Sequence, residues 1–266
     1  MPLPKRKWQD MKAGDFTAPD VSNWIAVLPV AAIEQHGPHL PLGTDTMIGE
    51  GLLDAALTVM PNELPVTVLP MQTIGKSNEH ISSRGTLTFD WQTAIKAWIE
   101  IGESLHRAGI QKMIIINSHG GNAGLIDIVA VELRVRLDML VVATSLTKFG
   151  EPDGLFSDHE KTYGIHGGDI ETSLMLALRP DLVEMEKAKD FRSTQLDFLG
   201  EFTHLRAHGP VSFGWKAQDL NVEGTVGDAS IATLEKGDKL IAHQATGFVA
   251  LCDDVNRFDM SRLWKG

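Results

Sequence analysis

Three features of this 266-residue chain predict an α/β fold, a three-layer α/β/α sandwich with a mostly parallel central sheet. Short β-rich runs alternate with longer helical patterns, which is the order of βαβ units. The β-rich runs are almost continuously apolar, as strands covered on both faces are. Clusters of Asp, Glu and His follow two of these runs directly, where open parallel sheets gather their ligands.

Strand candidates are Trp24 to Val30, Pro65 to Pro70, Lys112 to Asn117 and Met139 to Ser145. Helical spacing marks Thr46 to Met60, Trp91 to Ala108 and Asn122 to Leu137. In the second of these Ile95, Trp98, Ile99 and Leu105 share a face, and Asp90 stands at the N-cap position. Helices over Asp169 to Leu178 and Lys236 to Asp253 complete the pattern. No repeat, low-complexity tract or linker divides the chain, so a single domain over 1–266 is expected.

Composition narrows the function classes. With 43% apolar residues the chain can bury a large core, and its net charge of −11 is wrong for a nucleic-acid groove or a basic membrane patch. No apolar run approaches the roughly 20 residues of a membrane helix. The opening Met1-Pro2-Leu3-Pro4-Lys5-Arg6-Lys7-Trp8 lacks the apolar centre of a signal peptide, and Cys252 alone forms no internal disulfide. A cytoplasmic protein acting on a small molecule is the expectation. Cys252 lies in the apolar run Val249-Ala250-Leu251 and reads as a buried structural thiol.

The chemistry is concentrated in three clusters. Glu34-Gln35-His36-Gly37-Pro38-His39-Leu40-Pro41-Leu42-Gly43-Thr44-Asp45 follows the first strand, and its carboxylate and imidazole donors on a Gly- and Pro-rich loop suit zinc, manganese or ferrous iron. His119, in Asn117-Ser118-His119-Gly120-Gly121-Asn122, projects from the end of a second strand and reads as a further ligand. Asn122 either caps the following helix or contacts substrate. In the third cluster, Gly164-Ile165-His166-Gly167-Gly168-Asp169-Ile170-Glu171-Thr172-Ser173, the apolar continuation of the helix makes an unpaired Glu171 costly. Glu171 therefore reads as a ligand, with Asp169 behind it or capping the helix.

Taken together these motifs resemble the creatininase (creatinine amidohydrolase) family. The resemblance extends through Gly75-Lys76-Ser77-Asn78-Glu79-His80, Gly85-Thr86-Leu87-Thr88 and Gly224-Thr225-Val226-Gly227-Asp228, and so covers most of the chain. It implies a metal-dependent amidohydrolase, a homohexamer, with two divalent ions per subunit held by Glu34, His36, Asp45 and His119, Asp45 being the bridge. Creatininase itself carries an aromatic residue and a glutamate where this chain has Gly120 and Gly121, and Ile165 and Thr162 also depart from its pattern. The branches with His-Gly-Gly-Asn are more similar: formamide hydrolases of flavin and deazaflavin biosynthesis and the peptidase that trims the mycofactocin precursor. In that pattern Glu171 substitutes for the missing glutamate, and creatinine is a doubtful substrate.

The activity implied is hydrolysis of a C–N bond in a small cyclic amide, amidine or formamide-type molecule by metal-activated water. His166 is the candidate proton shuttle, with metal ligation as its alternative role. His80 and Glu79 are weaker candidates for substrate contacts. The rival readings are peptide trimming, ring opening of a cyclic ketone, phosphoester hydrolysis, and a metal-binding scaffold without turnover. Specificity is expected to reside in Phe149 to Tyr163 and Ala188 to Trp215. Within the former, His159 sits in a charged stretch, Ser157-Asp158-His159-Glu160-Lys161, that reads as solvated.

Overall fold

A computed structural model describes residues 3–264. Its main sheet has four parallel strands, β1 (Ile25–Val30), β2 (Val66–Val68), β3 (Lys112–Asn117) and β4 (Leu140–Ser145), in the order β2-β1-β3-β4. All residues of β1, β2 and β3 are buried, which explains their nearly continuous apolar runs. At the edge, β4 is only half-buried, so double coverage relaxes there.

Side chains alternate between two cores, as strand geometry requires. Ile25, Val27, Ile114 and Ile116 face one core, which contains Ile48 and Leu52 of α1 (Thr44–Val59), Leu174 of α5 (Asp169–Leu178) and Phe248 of α8 (Leu234–Arg257). Ala26, Leu28, Met113 and Ile115 face the other, with Trp98 and Leu105 of α2 (Trp91–Arg107) and Val129 and Leu133 of α3 (Ala123–Leu137). Three layers result. The Asp90 side chain accepts from the Gln92 amide at 2.8 Å and caps α2 as its position predicts. Asn122 precedes α3 without a side-chain capping bond, which removes the capping alternative.

Because β1 lies between β2 and β3, the chain leaves it over the α1 face and returns to β3 over the α2 face. The carboxyl ends of β1 and β3 thus form a switch point, where a crevice opens in such sheets. Val30 and Asn117, the last residues of the two strands, are register partners. Short helices α4 (Asp158–Tyr163), α6 (Gln195–Glu201) and α7 (Ala217–Leu220) and an antiparallel pair, β5 (Asp190–Phe191) with β6 (Gly227–Asp228), belong to the later chain. A bridge joins His166 to Val226, directly before β6.

Candidate metal centre

The switch point assembles the clusters that the sequence separates. The loop after β1 supplies Glu34 and His36, the first turn of α1 supplies Asp45, the residues after β3 supply His119, and the first turn of α5 supplies Glu171. Ligand atoms within 4.8 Å of one another form three groups: Glu34, Asp45 and His119; His36, Asp45 and Glu171; and Glu34, His36 and His166. Asp45 joins the first two. Its Oδ2 lies 3.2 Å from His119 Nδ1, and its Oδ1 lies 3.3 Å from His36 Nε2. Glu34 Oε1 is 3.2 Å from His119 Nδ1, and Glu171 Oε2 is 3.6 Å from His36 Nε2. Two ligands about 2.0–2.1 Å from one tetrahedral ion stand about 3.3–3.4 Å apart, so these separations fit a divalent cation on each side of Asp45.

Backbone carbonyls set the tautomers that ligation needs. His36 Nδ1 lies 3.2 Å from Glu34 O, His119 Nε2 3.0 Å from Lys76 O, and His166 Nε2 2.7 Å from Gln35 O. A ring nitrogen beside a carbonyl carries the proton, so in the neutral form that ligation needs, His36 Nε2, His119 Nδ1 and His166 Nδ1 are the lone pairs facing the cluster. Glu34 is oriented in the same way: the Ser77 hydroxyl donates to its Oε2, while Oε1 faces the imidazoles. Removing the partner of a ligand typically weakens metal binding by about 10–100-fold. Ser77→Ala is expected to lower zinc affinity by that factor in a chelator competition while leaving the fold intact.

Electrostatics point to the same occupant. Glu34 and Asp45 are fully buried, Glu171 is partly buried, and no lysine or arginine pairs with any of them among the described residues. Burial alone would push the Glu34 carboxyl up, but His119, His166 and His80 hold it well below the usual range. Burial likewise opposes charge on His36, yet Asp45, Glu171 and Glu34 raise it to about 10, and Glu34 and Asp45 raise His119 well above normal. Burial, followed by the charge of Asp45, lifts Glu171 to about 7 against the pull of His36. Without metal these acids keep protons on the imidazoles; a divalent ion supplies the same charge more densely. Glu34 Oε1, His36 Nε2 and Asp45 Oδ2 are buried and make no hydrogen bond, as ligand atoms aimed at a cation would be.

His166 is different. Burial, with His36 and His80 nearby, holds it well below the usual imidazole range and therefore neutral. Its ring centroid is 4.1 Å from that of His36 and 4.2 Å from that of His80, and its Nδ1 is 3.7 Å from Glu34 Oε1. Side-chain exposure is greatest at Glu171 (22%) and His166 (11%), so the cluster opens to solvent on their side.

The remaining candidates are distributed around this core. His80 is buried, with Nδ1 2.8 Å from Gln35 Nε2 and Nε2 3.5 Å from Glu34 Oε1. Glu79 pairs with Lys76 at 2.5 Å, and both line a cavity of about 500 Å³ together with Asn78, Trp215, Lys216 and Asp219. The Asn122 amide is wholly buried and bonded to Ala31 O, Asn117 Oδ1 and Lys76 N, tying together the segments that carry Glu34, His119 and Ser77. Asp169 stands behind the ligands, paired with Lys236 at 2.6 Å and accepting from Ser173 Oγ at 3.0 Å. A Cβ at position 121 would overlap Glu79 and His119, so no glutamate fits there, while Glu171 reaches the cluster from α5. Cys252 is buried and pushed up to about 12 by burial, an inert thiol as expected.

Three residues escaped the sequence reading of the site. Gln35 and Ser77 lie inside motifs already singled out, but an amide and a hydroxyl are not ligand types for these metals. Glu160 belongs to a stretch expected to be solvated, yet it is 2% exposed. Ser157, Asp158, His159 and Lys161 are exposed as that stretch predicts, and Glu160 alone of the five turns inward.

Buried carboxylate and imidazole donors at the switch point of a parallel α/β sheet define a metal-dependent hydrolase site. The chain belongs to the creatininase family, whose model, described as creatinine amidohydrolase, matches residues 9–252, and it is an enzyme of the hydrolase class. It is 25% identical over 241 residues to the mycofactocin precursor peptide peptidase of Mycolicibacterium smegmatis, covering 90% of this chain and 87% of the relative. It is 28% identical over 238 residues to the creatinine amidohydrolase of Pseudomonas putida, covering 82% and 84%. A solved creatininase mutant of the Zn-Zn type has the same fold, with a TM-score of 0.74 at 24% identity over 94% of this chain and 98% of its own.

Proposed function

We propose that this protein is a two-metal amidohydrolase that cleaves a C–N bond of a small cyclic amide, amidine or formamide-type substrate. The observation that carries this reading is Asp45, whose two oxygens face two separate ligand pairs, Glu34 with His119 and His36 with Glu171. Bound divalent ions would supply activated water and polarise the substrate carbonyl. The chain's own residues do the rest. Glu34 and Glu171 hold the ends of the ligand set, and Asn122 and Ser77 fix the backbone and carboxylate that they depend on. His166, neutral and with its Nε2 proton bonded to Gln35 O, offers Nδ1 to take a proton from the attacking water and return it to the departing nitrogen. Glu79, which lines the neighbouring cavity, and His80, whose ring packs against His166, are the proposed substrate contacts.

His166→Ala is expected to retain both metal ions and lose about 10²–10⁴-fold in kcat, the usual contribution of a general acid–base. Loss of a metal ion in that variant would make His166 a ligand instead. The substrate class is tested by screening cyclic amides, cyclic ureas, formamides and short peptides against zinc- and manganese-loaded protein. Turnover of a peptide and of no small amide would replace this reading with peptide trimming, the activity named for the Mycolicibacterium relative. Assembly into a hexamer, part of the same proposal, is tested by sedimentation.

A further inference from the structure

Glu160 of α4 carries a buried carboxyl that the ligand chemistry does not use. Its oxygens accept only backbone amides among the bonds described: Oε1 from Ile170 at 3.2 Å and Oε2 from Asp228 at 3.3 Å. The Ile170 amide belongs to the first turn of α5, where the helix dipole favours an anion. The carboxyl is also enclosed by backbone. A Cβ on Gly164, Gly168 or Gly227 would overlap it, and Gly227 has φ of +119°, so three glycines leave the space that this one side chain fills.

Those contacts surround the segment that carries the proposed chemistry. Gly164 and Gly168 flank His166, and Glu171 follows three residues after Gly168. On one side, Val226 N and Thr225 Oγ1 donate to His166 O at 2.9 and 2.6 Å. On the other, Gly167 N donates to Glu171 Oε2 at 2.6 Å. Glu160 bonds to both sides at once, to α5 through Ile170 and to β6 through Asp228. Burial pushes its carboxyl up to about 7, a cost that an apolar side chain of the same size would avoid. Packing alone does not account for an acid here.

We propose that Glu160 is a positioning residue, which clamps α5 against β6 so that His166 Nδ1 and Glu171 Oε2 are both held toward the metal centre. The proposal rests on the two-metal reading above. It is tested with Glu160→Gln, which keeps the shape, and Glu160→Met, which keeps the volume without a polar group to bury and so guards against failure to fold. Zinc stoichiometry and affinity are measured by chelator competition on folded, native-size protein, with kcat alongside. The expected result in both variants is one zinc held as in the wild type, a second weakened about 10–100-fold, and a lower kcat, whatever happens to Tm. Two zinc ions at wild-type affinity with unchanged kcat, accompanied by a shift in Tm alone, would overturn it. If the wild type itself binds fewer than two ions, the two-metal reading fails separately. Glu160 is then judged on kcat per folded molecule, and an unchanged value in Glu160→Met overturns the proposal.

Discussion

Asp45→Ala is expected to reduce bound divalent ions from about two per chain to at most one and to lower turnover by about 10³-fold or more. No other carboxylate of the cluster lies within reach of both His36 Nε2 and His119 Nδ1 through separate oxygens. Glu34 could hold an ion with His119, but its Oε2 is engaged by the Ser77 hydroxyl, which leaves Oε1 alone to face the imidazoles. Glu171 approaches His36 alone. Removing Asp45 therefore damages both ligand sets, whereas Glu171→Ala removes one ligand from one set. The comparison is made by elemental analysis and turnover on the two variants side by side. An Asp45→Ala protein that keeps two ions, or that keeps more activity than Glu171→Ala, would show that Asp45 is not the shared ligand.

The strength of that expectation comes from how the ligands are mounted. Glu34 and His36 follow β1, His119 follows β3, and the two strands are neighbours in register, so ligand spacing is fixed by the buried sheet. This part of the site was legible in the sequence. Apolar runs identify β1 and β3, donors follow each run directly, and parallel pairing brings strand ends together. The limits of α1, α2, α3, α5 and α8 were legible to within four residues because Asp90 and the apolar spacing are local signals, whereas the short α4, α6 and α7 carry no such signal and went unread. What could not be read were contacts made across sequence gaps by atoms of ordinary type. The Ser77 hydroxyl meets Glu34 across 43 positions, and the Gln35 amide and carbonyl meet His166 across 131. Glu160 is instructive in the same way. Flanked by Asp158, His159 and Lys161, it has the local appearance of a solvated helix, and only the approach of Gly168 and Gly227 buries it.

Raising the pH from 7 to 9 is expected to destabilise the metal-free protein and to increase the stabilisation that zinc provides. His36 is raised to about 10 in the folded chain and His119 well above normal; burial opposes both shifts, and the neighbouring carboxylates outweigh it. In the unfolded chain both titrate near 6.5. Between pH 7 and 9 the folded state thus binds more protons than the unfolded state, and stability falls by about 1.4 kcal/mol per pH unit for each extra proton. Stability due to a raised histidine is complete below pH 6.5 and is gone only once pH passes the folded value, so the loss spans this whole window. Glu171 and Glu160, raised to about 7, impose most of their penalty before the window opens and add no opposing gain within it. Zinc replaces the two imidazole protons, which makes its binding stronger as protons become scarcer. Chelator-treated protein should therefore show Tm falling from pH 7 through 8 to 9, while zinc-loaded protein stays nearly level. Calorimetry in buffers of different ionisation enthalpy should register release of about two protons per chain near pH 8. A metal-free Tm that is flat or rising over this range would mean that His36 and His119 are already neutral in the fold, and that the three carboxylates find their counter-charge elsewhere.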